Sequence, residues 1–161
     1  MKKVLGALLL VAIFVTGLII VSSSPETPYR GEFIADSDSN VAVNLALANT
    51  TEQRKKGLMN TFWMSKRDGM LFVFEDDAER SFWMKNTYIP LDIIFLDEDF
   101  RIINIEEAET QPLTSENNLK NYRSEGPAMY VIELKRGFTS GKNISSGDYF
   151  IPGEKLSSCC V

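Results

Sequence analysis

The chemistry of this chain is concentrated in one stretch, Phe82 to Phe95, where a lysine, an asparagine and an aspartate interrupt an aromatic and aliphatic run. Lys85 offers three donors, Asn86 both donates and accepts, and Asp92 accepts through two oxygens when ionised. In extended geometry Phe82, Met84 and Asn86 share one face, and Trp83, Lys85 and Thr87 share the other. Pro90 marks a short turn between two strands, and a turn that folds them together brings Lys85 near Asp92. A partly buried pair of this kind shifts the pKa of both partners and is a site candidate. Trp83 then serves as a stacking platform for a sugar ring or another flat ligand, with Trp63, Tyr88 and Tyr122 as further aromatic faces. Arg54, beside Lys55 and Lys56, is an anion contact if it lies against this segment and a solvated helix face if it does not.

Two chemistries fit these residues. In the first, Trp83, Lys85, Asn86, Asp92 and Arg54 bind a small polar or carbohydrate-like ligand, or an envelope partner, and no residue is catalytic. In the second, Asp92 is a base or nucleophile and Lys85 stabilises charge, giving a hydrolase or lyase that acts on an envelope glycan. Glycosidases work with paired carboxylates and no histidine. Here no second acid is clearly paired with Asp92, and Glu133 is only a guess. The bland alternative is a structural network in which Lys85 pairs with Asp92 to fix a hairpin and Trp83 packs into the core.

Composition narrows the field further. The 161 residues carry 17 Lys and Arg against 22 Asp and Glu, a net charge of −5, and no histidine. The acidic balance argues against a nucleic-acid partner, which needs a basic footprint. The absence of histidine removes His-based triads, His general bases and His-ligated metal sites. Cys159 and Cys160 are adjacent near the end, so neither a zinc spacing nor a disulfide framework exists. The clusters Glu75-Asp76-Asp77 and Asp97-Glu98-Asp99 lack EF-hand spacing and read as solvated hairpin turns. No Gly-Lys-Ser/Thr phosphate loop is present. No cofactor and no metal is expected.

These residues must be positioned by a β-rich body. Val41 to Ala48 alternates strictly, a half-buried strand. Thr50 and Gln53 have capping-box spacing, and Gly57 supplies a stop, so a short helix follows. Residues 69–74, 81–87, 91–97, 100–108, 128–134 and 147–151 each carry an apolar run of strand length, and short connections suggest antiparallel hairpins. Residues 109–126 read as a long surface loop. The expected fold class is α+β and mainly β: a compact antiparallel sheet, closed or nearly closed into a small barrel, with one or two short helices.

Ahead of this body, Lys2 and Lys3 precede an uncharged stretch from Val4 to Val21. As a helix it spans about 27 Å, close to the ~30 Å hydrocarbon core of a bilayer. Residues 1–24 are expected to be an uncleaved membrane anchor or, with Ser22-Ser23-Ser24 as a cleavage region, a secretory signal. The basic residues precede the stretch, which puts the domain on the extracytoplasmic side. Residues 25–30 form a linker, 31–152 the β-rich domain and 153–161 a tail. Asn49 and Asn143 match the glycosylation pattern, though a helix start and a turn explain both. Oligomeric state has no sequence signal.

An ordered series of short matches carries a family resemblance. It begins with Glu52, Arg54 and Gly57-Leu58-Met59. It continues through Gly69-Met70-Leu71-Phe72-Val73-Phe74, Phe82-Trp83-Met84-Lys85-Asn86-Thr87 and Ile89-Pro90-Leu91-Asp92-Ile93-Ile94-Phe95. It ends with Tyr130-Val131-Ile132-Glu133-Leu134, Gly137 and Gly147-Asp148. Over roughly residues 41–150 the chain resembles the domain of unknown function 192. The resemblance implies a compact β-rich fold with few helices, often exported or tethered to a prokaryotic membrane. It implies no established reaction, ligand or cofactor. Many members carry a Cys just before the proline at position 127, where this chain has Gly126.

Overall fold

The structure is a computed structural model, and it describes residues 28–34 and 40–153. The apolar stretch 4–21, the first part of the linker and the tail with Cys159 and Cys160 lie outside the described residues. Among the described residues no helix is long and apolar enough to cross a membrane.

Among the described residues nine strands and one short α-helix run in the order β1 (Tyr29–Ile34), β2 (Asn40–Ala48), α1 (Thr51–Lys56), β3 (Asp68–Ala78), β4 (Ser81–Trp83), β5 (Leu91–Leu96), β6 (Ile102–Ala108), β7 (Asn121–Arg123), β8 (Ala128–Lys135) and β9 (Tyr149–Pro152). Seven strands make one curled sheet in the order β6-β5-β8-β3-β2-β1-β9, while β4 and β7 pair separately. The sheet is a half-barrel. Its edge strands approach at one end, where an isolated bridge joins Arg101 to Tyr149 and Phe150 N donates to Phe100 O at 2.9 Å.

The fold is mainly β, as expected, but several expectations need correction. β2 pairs with β3 in parallel, so the sheet is not wholly antiparallel. A parallel pair needs a long crossover, and the chain between Ala48 and Asp68 supplies it, carrying α1. The run 81–87 yields only the three residues of β4, which pair with β7 and not with β5. The long loop 109–126 contains β7 and a 3-10 turn at Glu116–Asn118. Tyr29 and Arg30, assigned to the linker, already belong to β1. Glu75-Asp76-Asp77 lies within the irregular end of β3, whereas Asp97 caps the β5–β6 turn, its Oδ1 accepting from Asp99 N and Arg101 N.

The helix follows its sequence signals closely. Thr50 accepts from Gln53 N at 3.2 Å, and the Gln53 side chain accepts from Thr50 N at 3.1 Å, closing the capping box. Gly57 ends the helix with φ at 45°, a region that L side chains resist. Six residues cannot hold a helix alone. Arg54 ties it to the sheet by donating to Asn49 O at 2.7 Å and Val73 O at 2.9 Å.

Two apolar layers hold the half-barrel. The inner one includes Phe33, Leu45, Leu71, Ile94, Ile132 and Phe150. The outer one includes Phe72, Met84, Ile93, Phe95, Tyr122 and Val131. Alternation along β3, β5 and β8 sends neighbouring residues to opposite layers. Every residue of β5 is buried, so the strand is covered on both faces. Burial of each large aliphatic or aromatic side chain contributes about 1.5–3 kcal/mol. Gly69 permits the tight join of β3 to β8, since a Cβ there would sit 2.2 Å from the Glu133 carbonyl oxygen.

Candidate functional site

A cavity of about 610 Å³ opens on the outer layer, between the β3–β8 part of the sheet, α1 and β4. Its apolar wall is formed by Leu58, Met59, Phe72, Phe74, Phe82 and Trp83. Phe82 is the hub of that wall. Its ring meets Phe72 edge-on at 4.9 Å, Phe95 at 5.9 Å and Phe74 at 6.4 Å, within the range in which aromatic pairs attract. Phe74 is braced by two guanidiniums, Arg80 at 4.0 Å and Arg54 at 5.2 Å from its centroid. Arg80 is fixed in turn by Ala128 O and by Asp76, whose carboxyl it holds below the usual carboxylate range.

Arg54, Lys55, Lys56 and Lys85 supply positive charge around the cavity, and Glu133 is the one acid in its lining. Lys55 and Lys56 are exposed and join no ion pair among the described residues. Lys85 pairs with Glu116 and lies 5.2 Å from the Trp83 ring centroid.

Glu133 forms part of the floor. It stands opposite Met70 on β3 and Ile93 on β5, so two apolar side chains flank it in the register. It is 5% exposed, and Oε2 has no hydrogen-bond partner. Burial alone pushes its carboxyl from the ordinary 4.5 up to about 8. Near neutral pH the group is therefore mostly a carboxylic acid, with one O–H to donate.

Of the expected site residues, the structure brings Trp83, Lys85 and Arg54 to this cavity and leaves two outside. Asp92 lies on the opposite face of the sheet, fully buried toward the inner layer. Its Oδ2 accepts from Thr139 N at 2.9 Å and Thr139 Oγ1 at 2.8 Å, and its Oδ1 accepts from Gly137 N at 3.1 Å. The expected Lys85–Asp92 pair is therefore absent: β4 does not fold onto β5, and each partner is engaged elsewhere. Asn86 is a turn residue with φ at 51°, its backbone oxygen accepting from Asn60 N. Its side chain borders a second, polar hollow with Tyr88, Gln111 and Ser115.

The other aromatic candidates also separate. Tyr122 packs into the outer layer, its hydroxyl accepting from Glu109 N, and burial raises its pKa. Tyr88 stacks on Phe62 at 4.3 Å, and Trp63 is exposed. The residue that pattern reading left as a guess is Glu133. Its signal was an acid in a strand otherwise buried from Ala128 to Leu134, apart from Met129. Among the described residues no cluster of three or more Cys, Asp or Glu side chains is placed to hold a metal ion.

The model of the family DUF192, described as an uncharacterized ACR, matches residues 33–151. No curated protein matches the chain. Crystal structures similar to the chain include the following two. One, from Sinorhizobium meliloti 1021 and described as a "putative transcription regulator", is 34% identical with a TM-score of 0.70, covering 77% of this chain and 92% of its own. The other, a protein of unknown function from Novosphingobium aromaticivorans DSM 12444, is 29% identical with a TM-score of 0.67, covering 75% of this chain and 82% of its own.

Proposed function

The chain belongs to the DUF192 family, and from that premise we propose that it is a binding module for a small organic anion, held on the outer side of a membrane by residues 4–21. The observation that carries the reading is the cavity itself: an aromatic wall beside Lys55 and Lys56, two cations that join no ion pair among the described residues. Pockets of this size and mainly apolar lining, with few convergent polar groups, are the usual setting for a small ligand. Trp83 offers a face for a flat or ring-shaped body, and the cations attract a carboxylate or phosphate. A neutral sugar would use the Trp83 face and leave the cations idle, so the anion is the better fit. The alternative of a glycan hydrolase or lyase built on Asp92 and Lys85 has its two residues on separate faces of the sheet. A role on nucleic acid, as the description of the Sinorhizobium protein suggests, is poorly matched by an excess of acidic over basic residues.

The test uses the full chain with Trp63→Phe, which leaves Trp83 as the one tryptophan. Substituted benzoates, aliphatic carboxylates, phosphate esters and neutral sugars are titrated while Trp83 emission and melting temperature are followed. Saturable change with organic anions, weakened by salt, is expected. At 100 times its dissociation constant a ligand adds about 2.7 kcal/mol, enough for a clear rise in melting temperature. No response to any anion would remove the reading. Membrane attachment is checked separately, by fractionation and protease access in whole cells.

A further inference from the structure

Glu133 differs from every other buried polar side chain of the described residues. Thr87, Asn104, Ser124, Thr139 and Asp148 all hold hydrogen bonds, as does Asp92. Only Glu133 presents a buried oxygen with no partner. Buried polar atoms in native proteins are almost always satisfied, so an orphan calls for a physical reason. The side chain that carries it lines a cavity large enough to hold a ligand.

Resting on the binding reading above, we propose that Glu133 selects the ligand: its protonated carboxyl donates a hydrogen bond to an uncharged acceptor oxygen of the bound anion, so that the cavity takes carboxylates bearing a second, carbonyl-type oxygen. Three features support this. Met70 and Ile93 flank the acid, and among the described residues no cation pairs with it. The charged groups that share the cavity from other elements are Arg54, Lys55 and Lys56 of α1 and Lys85 beyond β4. Arg54 is bonded to Asn49 O and Val73 O, Lys85 is paired with Glu116, and Lys55 and Lys56 are solvent-exposed. Burial raises the pKa of Tyr122 of β7, in the same layer. Burial therefore governs Glu133, and with the proton in place the floor is a donor without an acceptor.

An acceptor-only oxygen distinguishes the two states of the acid. A carbonyl accepts from the protonated form and is repelled by the ionised one. Para-acetylbenzoate carries such a carbonyl opposite its carboxylate, and para-isopropylbenzoate has nearly the same shape without it. Both are titrated against the full-length Trp63→Phe chain at about pH 6 and about pH 10, on either side of the Glu133 titration near pH 8.

At the lower pH the acetyl probe is expected to bind about tenfold tighter, the equivalent of one well-made hydrogen bond. At the higher pH that preference disappears. A change of pH that acts on the carboxylate end common to the two probes moves both affinities alike and leaves the ratio untouched. Glu133→Gln, whose amide donates at any pH, keeps the preference at both. Glu133→Leu loses it at both. Equal affinities at the lower pH, or a wild-type ratio that does not change with pH, would overturn the assignment of Glu133 while the binding reading stands. Failure of both probes and of every anion in the wider panel would overturn the two together.

Discussion

Asp92 and Glu133 are two buried acids on adjacent strands, one residue apart in register and on opposite faces of the sheet. Asp92 stands opposite Leu134, and Glu133 stands opposite Ile93. Both are almost out of water, yet their surroundings differ. The inner-face carboxylate receives two backbone N–H groups and a hydroxyl from the turn after β8. The outer-face carboxyl has an orphan oxygen, and it borders an open cavity. The difference shows that burial does not by itself mark a site. A buried acid that the fold has fully satisfied is a fastener. One left unsatisfied beside empty space is a group the fold has reserved.

The comparison breaks most readily at Asp92. Asp92→Ala removes three hydrogen bonds and strands two N–H groups and a hydroxyl, so denaturant unfolding should show a loss of about 4 kcal/mol. A loss under about 1 kcal/mol would mean that the turn finds other partners and that Asp92 is not a fastener.

Glu133 should behave in the opposite sense. Its unfolded-state carboxyl ionises near 4.5 and its folded one near 8. Between those values the unfolded chain binds fewer protons, so the wild type loses stability as pH rises and levels off above about 8. Glu133→Gln removes that slope. Relative to its own effect at acid pH, the variant should gain about 4 kcal/mol at pH 8 in unfolding measured across the range. Parallel curves would show that the acid is not desolvated and would erase the contrast with Asp92.

Smaller changes sharpen the outer face. Trp83 is 41% exposed and stands on the cavity wall, so Trp83→Ala should weaken organic-anion binding by about tenfold at a stability cost under about 1 kcal/mol. Calorimetric titration and thermal melting separate the two effects. Lys85→Ala should change stability by less than about 0.5 kcal/mol, because its pair with Glu116 is partly exposed, with side-chain exposures of 34% and 54%. A larger loss in melting experiments would make Lys85 a second fastener.

Much of this arrangement was legible along the chain, for local reasons. The alternation of Val41 to Ala48 gave β2, Thr50 and Gln53 gave the helix start, and the polar interruption near Trp83 and Lys85 pointed at one wall of the cavity. What could not be read was non-local. β1 carries Arg30, Gly31 and Glu32, so its pattern is weak until β2 and β9 cover both edges. The partner of β4 is a three-residue strand within a polar stretch. The expected approach of Lys85 to Asp92 requires the turn at Pro90 to fold β4 onto β5, whereas β4 pairs with β7 and β5 with β6 and β8. Glu133 was visible as an acid in an apolar run, but its position on the cavity side with Phe72 depends on a register that only strand pairing defines.

The pairing of β1 with β9 also sets a timetable. Of the described strands β1 is made first and meets β2 soon after, but its other edge faces β9, the last of them: Phe33 waits for Phe150. At ~5–20 residues per second, ribosomal synthesis makes that wait on the order of ten seconds. Throughout it the nascent sheet has a raw edge of the kind that recruits strands from other chains. Protection of that edge of β1, unlike the cavity, is thus complete only when β9 has been made.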